Sequence, residues 1–102
     1  MGVYQIKNLK SGKIFIGSST NIHGRINRIK FQLKNNSYPN RQIQKDFLEI
    51  GEAYFSFDVL DNLSPKEDPN YDYNEELNIL EEMWLEKIKP YENKGYNTKK
   101  SK

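Results

Sequence analysis

At 102 residues the chain is sized for one domain with a single modest core, with no room for a catalytic domain plus a separate recognition domain. It has no cysteine and one histidine, which excludes disulfides, thiolate metal sites and histidine clusters. Any bound ion would therefore rest on oxygen ligands, which favours magnesium or manganese. The net charge of +2 hides an asymmetry: residues 1–45 carry nine Lys or Arg and no acid, whereas residues 46–102 carry seven against fourteen acids. This points to a phosphate-facing first half, or to two halves that neutralise each other on folding. There is no run of about 18 apolar residues and no charged-then-apolar leader, so a soluble intracellular chain without membrane contact is expected.

The chain opens with alternating side chains from Val3 to Leu9, turn residues Lys10-Ser11-Gly12-Lys13 and a short apolar run from Ile14 to Gly17. This predicts a hairpin. Ser18, Ser19, Thr20 and Asn21 offer N-caps for a helix reaching Asn35, on which Ile22, Ile26, Ile29 and Leu33 form one apolar stripe. Arg25, Arg28 and Gln32 line one border of that stripe, where they can face a cleft. Asn36 to Asn40 reads as a loop with Pro39 near the start of a second helix, which ends at Gly51 and turns Ile43, Phe47 and Ile50 inward. Tyr54 to Leu60 predicts a third strand with Phe55, Phe57 and Val59 on one side. A loop from Asp61 to about Asp72, containing Pro65 and Pro69, precedes a third helix from Tyr73 to Ile88, which is closed by Pro90. The fold class is α+β, in the order ββααβα.

The third helix carries the most informative charge. Leu77, Leu80, Trp84 and Ile88 define its buried stripe, and Glu81 falls within that stripe while Glu75, Glu82 and Glu86 point elsewhere. A buried carboxylate needs a cation or another partner. Two explanations stand: a metal ligand at the floor of a cleft, or a salt bridge to Arg25 or another base.

Several of these segments resemble one family. Gly2-Val3-Tyr4, followed by Phe15-Ile16-Gly17, is similar to the paired GIY and YIG signatures of the GIY-YIG nucleases. Gly17-Ser18-Ser19 with Arg25 resembles the family's Gly-Ser and helix arginine. Glu81 three residues before Trp84 resembles its metal-binding glutamate, and Gly95-Tyr96-Asn97 its closing motif. The resemblance covers residues 1–97 as one domain and leaves 98–102 as a basic, polar tail.

The resemblance implies a three-stranded antiparallel sheet flanked by helices, and a divalent-metal-dependent DNA endonuclease that cuts one strand or both with low intrinsic sequence specificity. By that implication Glu81 holds Mg2+ or Mn2+, Arg25 donates to phosphate oxygens, Tyr4 orients or deprotonates the attacking water, and Asn97 is a positioning residue. The alternative for Tyr4 is a strand aromatic packed beneath a helix. Lys7, Lys10, Lys13, Arg25, Arg28 and Lys30 are the expected phosphate contacts, with target choice left to DNA structure or to a partner protein. Three positions depart from the family pattern: Phe15 replaces the second-motif tyrosine, Ile29 stands where many members have histidine, and Tyr38 replaces a further histidine. These departures keep open an alternative, a catalytically degenerate DNA-binding or inhibitory module. An interaction domain using the acidic stretch from Asp61 to Glu86 is a third reading.

Overall fold

The computed structural model describes residues 1–64, 68 and 70–98. Pro65 and Pro69 of the expected loop, and the tail beyond Thr98, lie outside the described residues. Strands β1 (Gly2–Asn8) and β2 (Ile14–Ser19) form the hairpin. Its turn is organised by Asn8, whose side-chain oxygen accepts the backbone N–H of Lys10 (2.9 Å) and of Ser11 (3.1 Å), while Gly12 takes a φ of +83° that a side chain would disfavour.

Helix α1 (Ile22–Lys34) begins at Asn21, which accepts from the Gly24 N–H at 3.1 Å. Helix α2 (Arg41–Ile50) begins in the same way at Asn40, which accepts from the Ile43 N–H at 3.1 Å. It ends at Gly51, where the chain turns with a φ of +89°. A 3-10 turn over Glu52–Tyr54 then leads into β3 (Phe55–Asn62). This strand runs two residues past its predicted end, so Asp61 and Asn62 belong to the sheet and not to the loop. Helix α3 (Asn74–Ile88) closes with Lys89 in a left-handed conformation ahead of Pro90, and a second 3-10 turn covers Glu92–Lys94.

The strands lie in the order β2-β1-β3, each antiparallel to its neighbour, so the first strand is central. Helices α1 and α2 cover one face, where Ile6 packs with Ile22, Ile26, Ile29, Leu33, Ile43, Phe47 and Phe55. The apolar stripe expected on α1 is buried at all four positions. Along β3 the burial fades from Phe55 to half-buried Phe57 to Val59, which is 41% exposed. The alternation is as predicted, but an edge strand outruns its helical cover.

Between Val3 and Tyr4 the β1–β3 register shifts, pairing Val3 with Asp61 and Tyr4 with Val59. The extra residue, Leu60, is a β-bulge that turns Asp61 to the opposite face from Val59. There Asp61 accepts the Trp84 indole N–H at 3.1 Å, which ties β3 to α3.

Candidate active site

Tyr4 sits in the middle of the central strand and is only 3% exposed. Its cross-strand neighbour is Gly17. A Cβ at position 17 would lie 2.5 Å from the Tyr4 hydroxyl oxygen, so the absence of a side chain there is what lets the phenol lie across β2. Phe15, two residues back on the same face, tilts against the Tyr4 ring with centroids 6.5 Å apart.

One turn into α1, Arg25 is exposed and reaches toward the phenol. Burial pushes the Tyr4 pKa above 10; the nearby Arg25 guanidinium pulls it down, and the Glu81 charge adds to the rise. The net direction is upward, so Tyr4 is a neutral phenol at neutral pH. A neutral phenol can orient a ligand by hydrogen bonding. A role as base requires additional positive charge beside it.

Tyr4, Phe15, Arg25, Arg28, Ile29, Gln32, Tyr38, Pro39 and Asn40 line an open cleft of about 280 Å³. The helix border predicted from residue spacing, Arg25-Arg28-Gln32, thus forms one wall. Ile29 is 2% exposed and belongs to the core, so its side chain offers the cleft only methyl groups.

Glu81 approaches from the other side of the sheet. It is half-buried on α3, whereas Glu75, Glu82 and Glu86 are exposed, as the helical angle predicted. The Ser18 hydroxyl donates to its Oε1 at 2.7 Å. Among the described residues no ion pair joins Glu81 to Arg25; the partner the structure gives the carboxylate is the uncharged Ser18 hydroxyl, in a charge-assisted hydrogen bond. Ser18 follows Gly17 directly, which brings the carboxylate to the β2 end of the Tyr4 site. No group of three or more His, Cys, Asp or Glu side chains converges among the described residues. A single carboxylate is nevertheless a donor set that suits magnesium, which keeps several waters and completes its shell with substrate phosphate oxygens.

Asn97 is not aimed into the cleft. Its side-chain oxygen accepts the Ile16 N–H at 2.8 Å and its amide donates to the Ile16 carbonyl at 2.9 Å, so it pairs with the outer edge of β2 as a strand would. This is a positioning contact for the strand that carries Phe15 and Gly17. Tyr96 is buried beside it; Asn8 donates to the Tyr96 hydroxyl at 3.0 Å, and that hydroxyl donates to Asp46 at 2.7 Å.

Of the six cations expected on phosphate, only Arg25 and Arg28 line the cleft. Lys10, Lys13 and Lys30 lie over the rings of Tyr54, Tyr96 and Phe57 at 5.8, 5.8 and 5.1 Å. Lys7 is half-buried on β1 opposite Ile14. Two contributors were missed in the sequence. Ser18 was visible as an N-cap candidate and as part of the Gly-Ser resemblance, without a role, and Gln44 is buried on α2, three residues before Phe47 on the face that the apolar spacing marks as inward.

The whole architecture matches solved structures. The catalytic domain of the homing endonuclease I-TevI superposes with a TM-score of 0.77 at 21% identity, covering 97% of this chain and 98% of that one. A substituted form of the catalytic domain of intron endonuclease I-TevI gives 0.74 at 22% identity, covering 94% and 90%. No family model and no curated protein matches the sequence. The likeness at this identity lies in the fold, and the chain has the GIY-YIG nuclease fold, as its motifs implied.

Proposed function

We propose that the chain is a divalent-metal-dependent DNA endonuclease acting on phosphates with little sequence preference. The observation that carries this reading is a cleft that gathers a buried phenol and two arginines, with a serine-held carboxylate outside its lining but near enough for its charge to act on Tyr4. Glu81 would hold a magnesium or manganese ion, whose chemistry when bound is to stabilise charge on the scissile phosphate and leaving oxygen. Arg25 and Arg28 bind the phosphate by charge-assisted hydrogen bonds, and their planar guanidinium groups fix its orientation. Tyr4 holds water in line with the phosphorus through its hydroxyl. Ser18 orients the Glu81 carboxylate, and Asn97 keeps β2 in register with the site.

The likeness of the fold to the catalytic domain of I-TevI supports this reading. The test is cleavage of supercoiled plasmid with magnesium, then manganese, beside Glu81→Ala. Metal-dependent nicking or linearisation by the parent, lost in the variant at an unchanged melting temperature, is expected. Equal cleavage by both proteins would show a contaminant or a different site.

The second reading, a DNA-binding or inhibitory module without turnover, is favoured by the apolar wall formed by Phe15 and Ile29. It predicts salt-sensitive duplex binding and no cutting with either metal.

A further inference from the structure

Tyr38 lies in the loop between α1 and α2 and is held there by several independent contacts. Asn36 turns the chain with a φ of +55°. The Ser37 N–H and hydroxyl both donate to the Gln32 carbonyl, at 2.9 and 3.3 Å. The Tyr38 N–H donates to Gln44 Oε1 at 3.0 Å, and Gln44 Nε2 donates to the Leu33 carbonyl at 3.0 Å. Gln44 is 5% exposed, and both ends of its amide are committed to fixing this loop against the end of α1. A buried amide satisfied at both ends is a rigid support.

The ring of Tyr38 packs against the core, a task phenylalanine would perform equally well. Its hydroxyl is therefore the informative group, and Tyr96 supplies the contrast. Burial pushes both phenols up to about 12. The Tyr96 hydroxyl is engaged by Asn8 and Asp46, while among the described residues no hydrogen bond engages the Tyr38 hydroxyl. No buried polar atom in the described residues lacks a partner, so that hydroxyl opens to the cleft it lines with Tyr4, Arg25 and Arg28. Tyr4 and Arg25 are also the charges that its ionisation feels.

We propose that Tyr38 is a second catalytic phenol of this cleft, whose hydroxyl donates a hydrogen bond to a non-bridging oxygen of the phosphate bound by Arg25. This rests on the nuclease reading above. Phe15, on the facing strand, has no group to offer that oxygen, and Asn40 is spent capping α2. The donation strengthens as charge builds on the phosphate, so it acts on turnover more than on binding.

The experiment compares single-turnover cleavage of supercoiled plasmid in magnesium by the parent, Tyr38→Phe and Glu81→Ala, with melting temperature and KM measured for each. Tyr38→Phe is expected to lower kcat by about 100-fold, the loss typical of one transition-state donor, at unchanged melting temperature and nearly unchanged KM. Cleavage by Tyr38→Phe at the parental rate overturns the proposal and leaves the nuclease reading standing. A slow variant with a lowered melting temperature also overturns it, since the hydroxyl would then be structural. A parent no faster than Glu81→Ala with magnesium or manganese overturns the nuclease reading and this proposal with it.

Discussion

The helices on the two faces of the sheet are buried to different extents, although the strand residues beneath α3, Val3 and Ile16, are themselves fully buried. Beneath α1 and α2 the centre of the cluster is fully buried, from Ile6 and Leu33 to Ile43, with Phe15, Tyr38, Ile50 and Phe57 half-buried at its margin, and the polar groups there are bonded in pairs and chains. Across the sheet, Leu77 is the only fully buried residue of α3 among its fifteen; Leu80, Glu81, Trp84, Leu85 and Ile88 are all half-buried. The first face fixes the phenols and arginines of the cleft, and the second presents the carboxylate. The site thus draws on both faces, with an acid on a helix that leaves much of its length exposed.

The largest expected effect separates the two faces directly. Ile43→Ala removes a residue with 0% exposure from the α1–α2 side and should cost about 2–5 kcal/mol in denaturant unfolding, whereas Leu80→Ala, on the half-buried side, should cost less than half as much. Equal losses at the two sites would show that α3 contributes as much to the core as α1 and α2.

Next in size is Gly17→Ala, which acts on the site while sparing most of the core. The new methyl would meet the Tyr4 hydroxyl and Cζ at 2.5 and 2.6 Å, so the ring must move. A displacement near 1 Å at a reacting centre costs about 100-fold in rate. Single-turnover cleavage should fall by that order, with a smaller change in duplex affinity. Retention of the parental rate would remove Tyr4 from the mechanism.

These substitutions also show what the sequence alone can reveal. The α1 stripe, the Asn caps, the Gly51 stop and the inward-facing Glu81 follow from local rules, helical period and turn chemistry, which act over a few residues and are written in each segment. The partner of Glu81 was not legible, because the Ser18 contact spans 63 residues and depends on how α3 crosses the hairpin. The bulge at Leu60 was equally hidden. It follows from fitting β3 to β1 while Trp84 reaches Asp61, a tertiary requirement without a local signature. Gln44 was readable in principle: a polar residue at an inward helical angle calls for a partner, and the partners proved to be the backbone of α1's end and of the Tyr38 loop.

Alkaline pH sharpens the contrast by a smaller amount. Tyr4, Tyr38 and Tyr96 all have pKa values raised above the unfolded value near 10, the latter two to about 12, chiefly by burial. Each phenol holds its proton more tightly folded than unfolded. The stability it contributes is thus fully present below pH 10 and is lost as pH rises through its folded value, about 12 for Tyr38 and Tyr96. All three lie on or beside the α1–α2 face, so melting temperature should be flat from pH 8 to 9 and decline beyond 10, with amide exchange rising first in β1 and the Tyr38 loop. Exchange rising first in α3 would reverse the ranking of the two faces.

The smallest effect expected is at Arg28, which tests whether the cleft is the main phosphate surface. Of the first half's cations, Arg25 and Arg28 line the cleft, whereas Lys10, Lys13 and Lys30 rest on aromatic rings elsewhere. Each phosphate neutralised contributes a log–log salt slope of about −0.9, so losing one contact should flatten the slope by about that amount and weaken binding by roughly tenfold or less. Arg28→Ala should therefore reduce duplex affinity uniformly across unrelated sequences, because a phosphate contact positions DNA without reading it. Lys10→Ala, at the hairpin turn, should do less. If instead Lys10→Ala flattens the salt slope more than Arg28→Ala, DNA lies along the hairpin and enters the cleft from its edge. If Arg28→Ala weakens one sequence selectively, then this helix border reads bases, and target choice belongs to the chain itself and not to DNA structure or a partner.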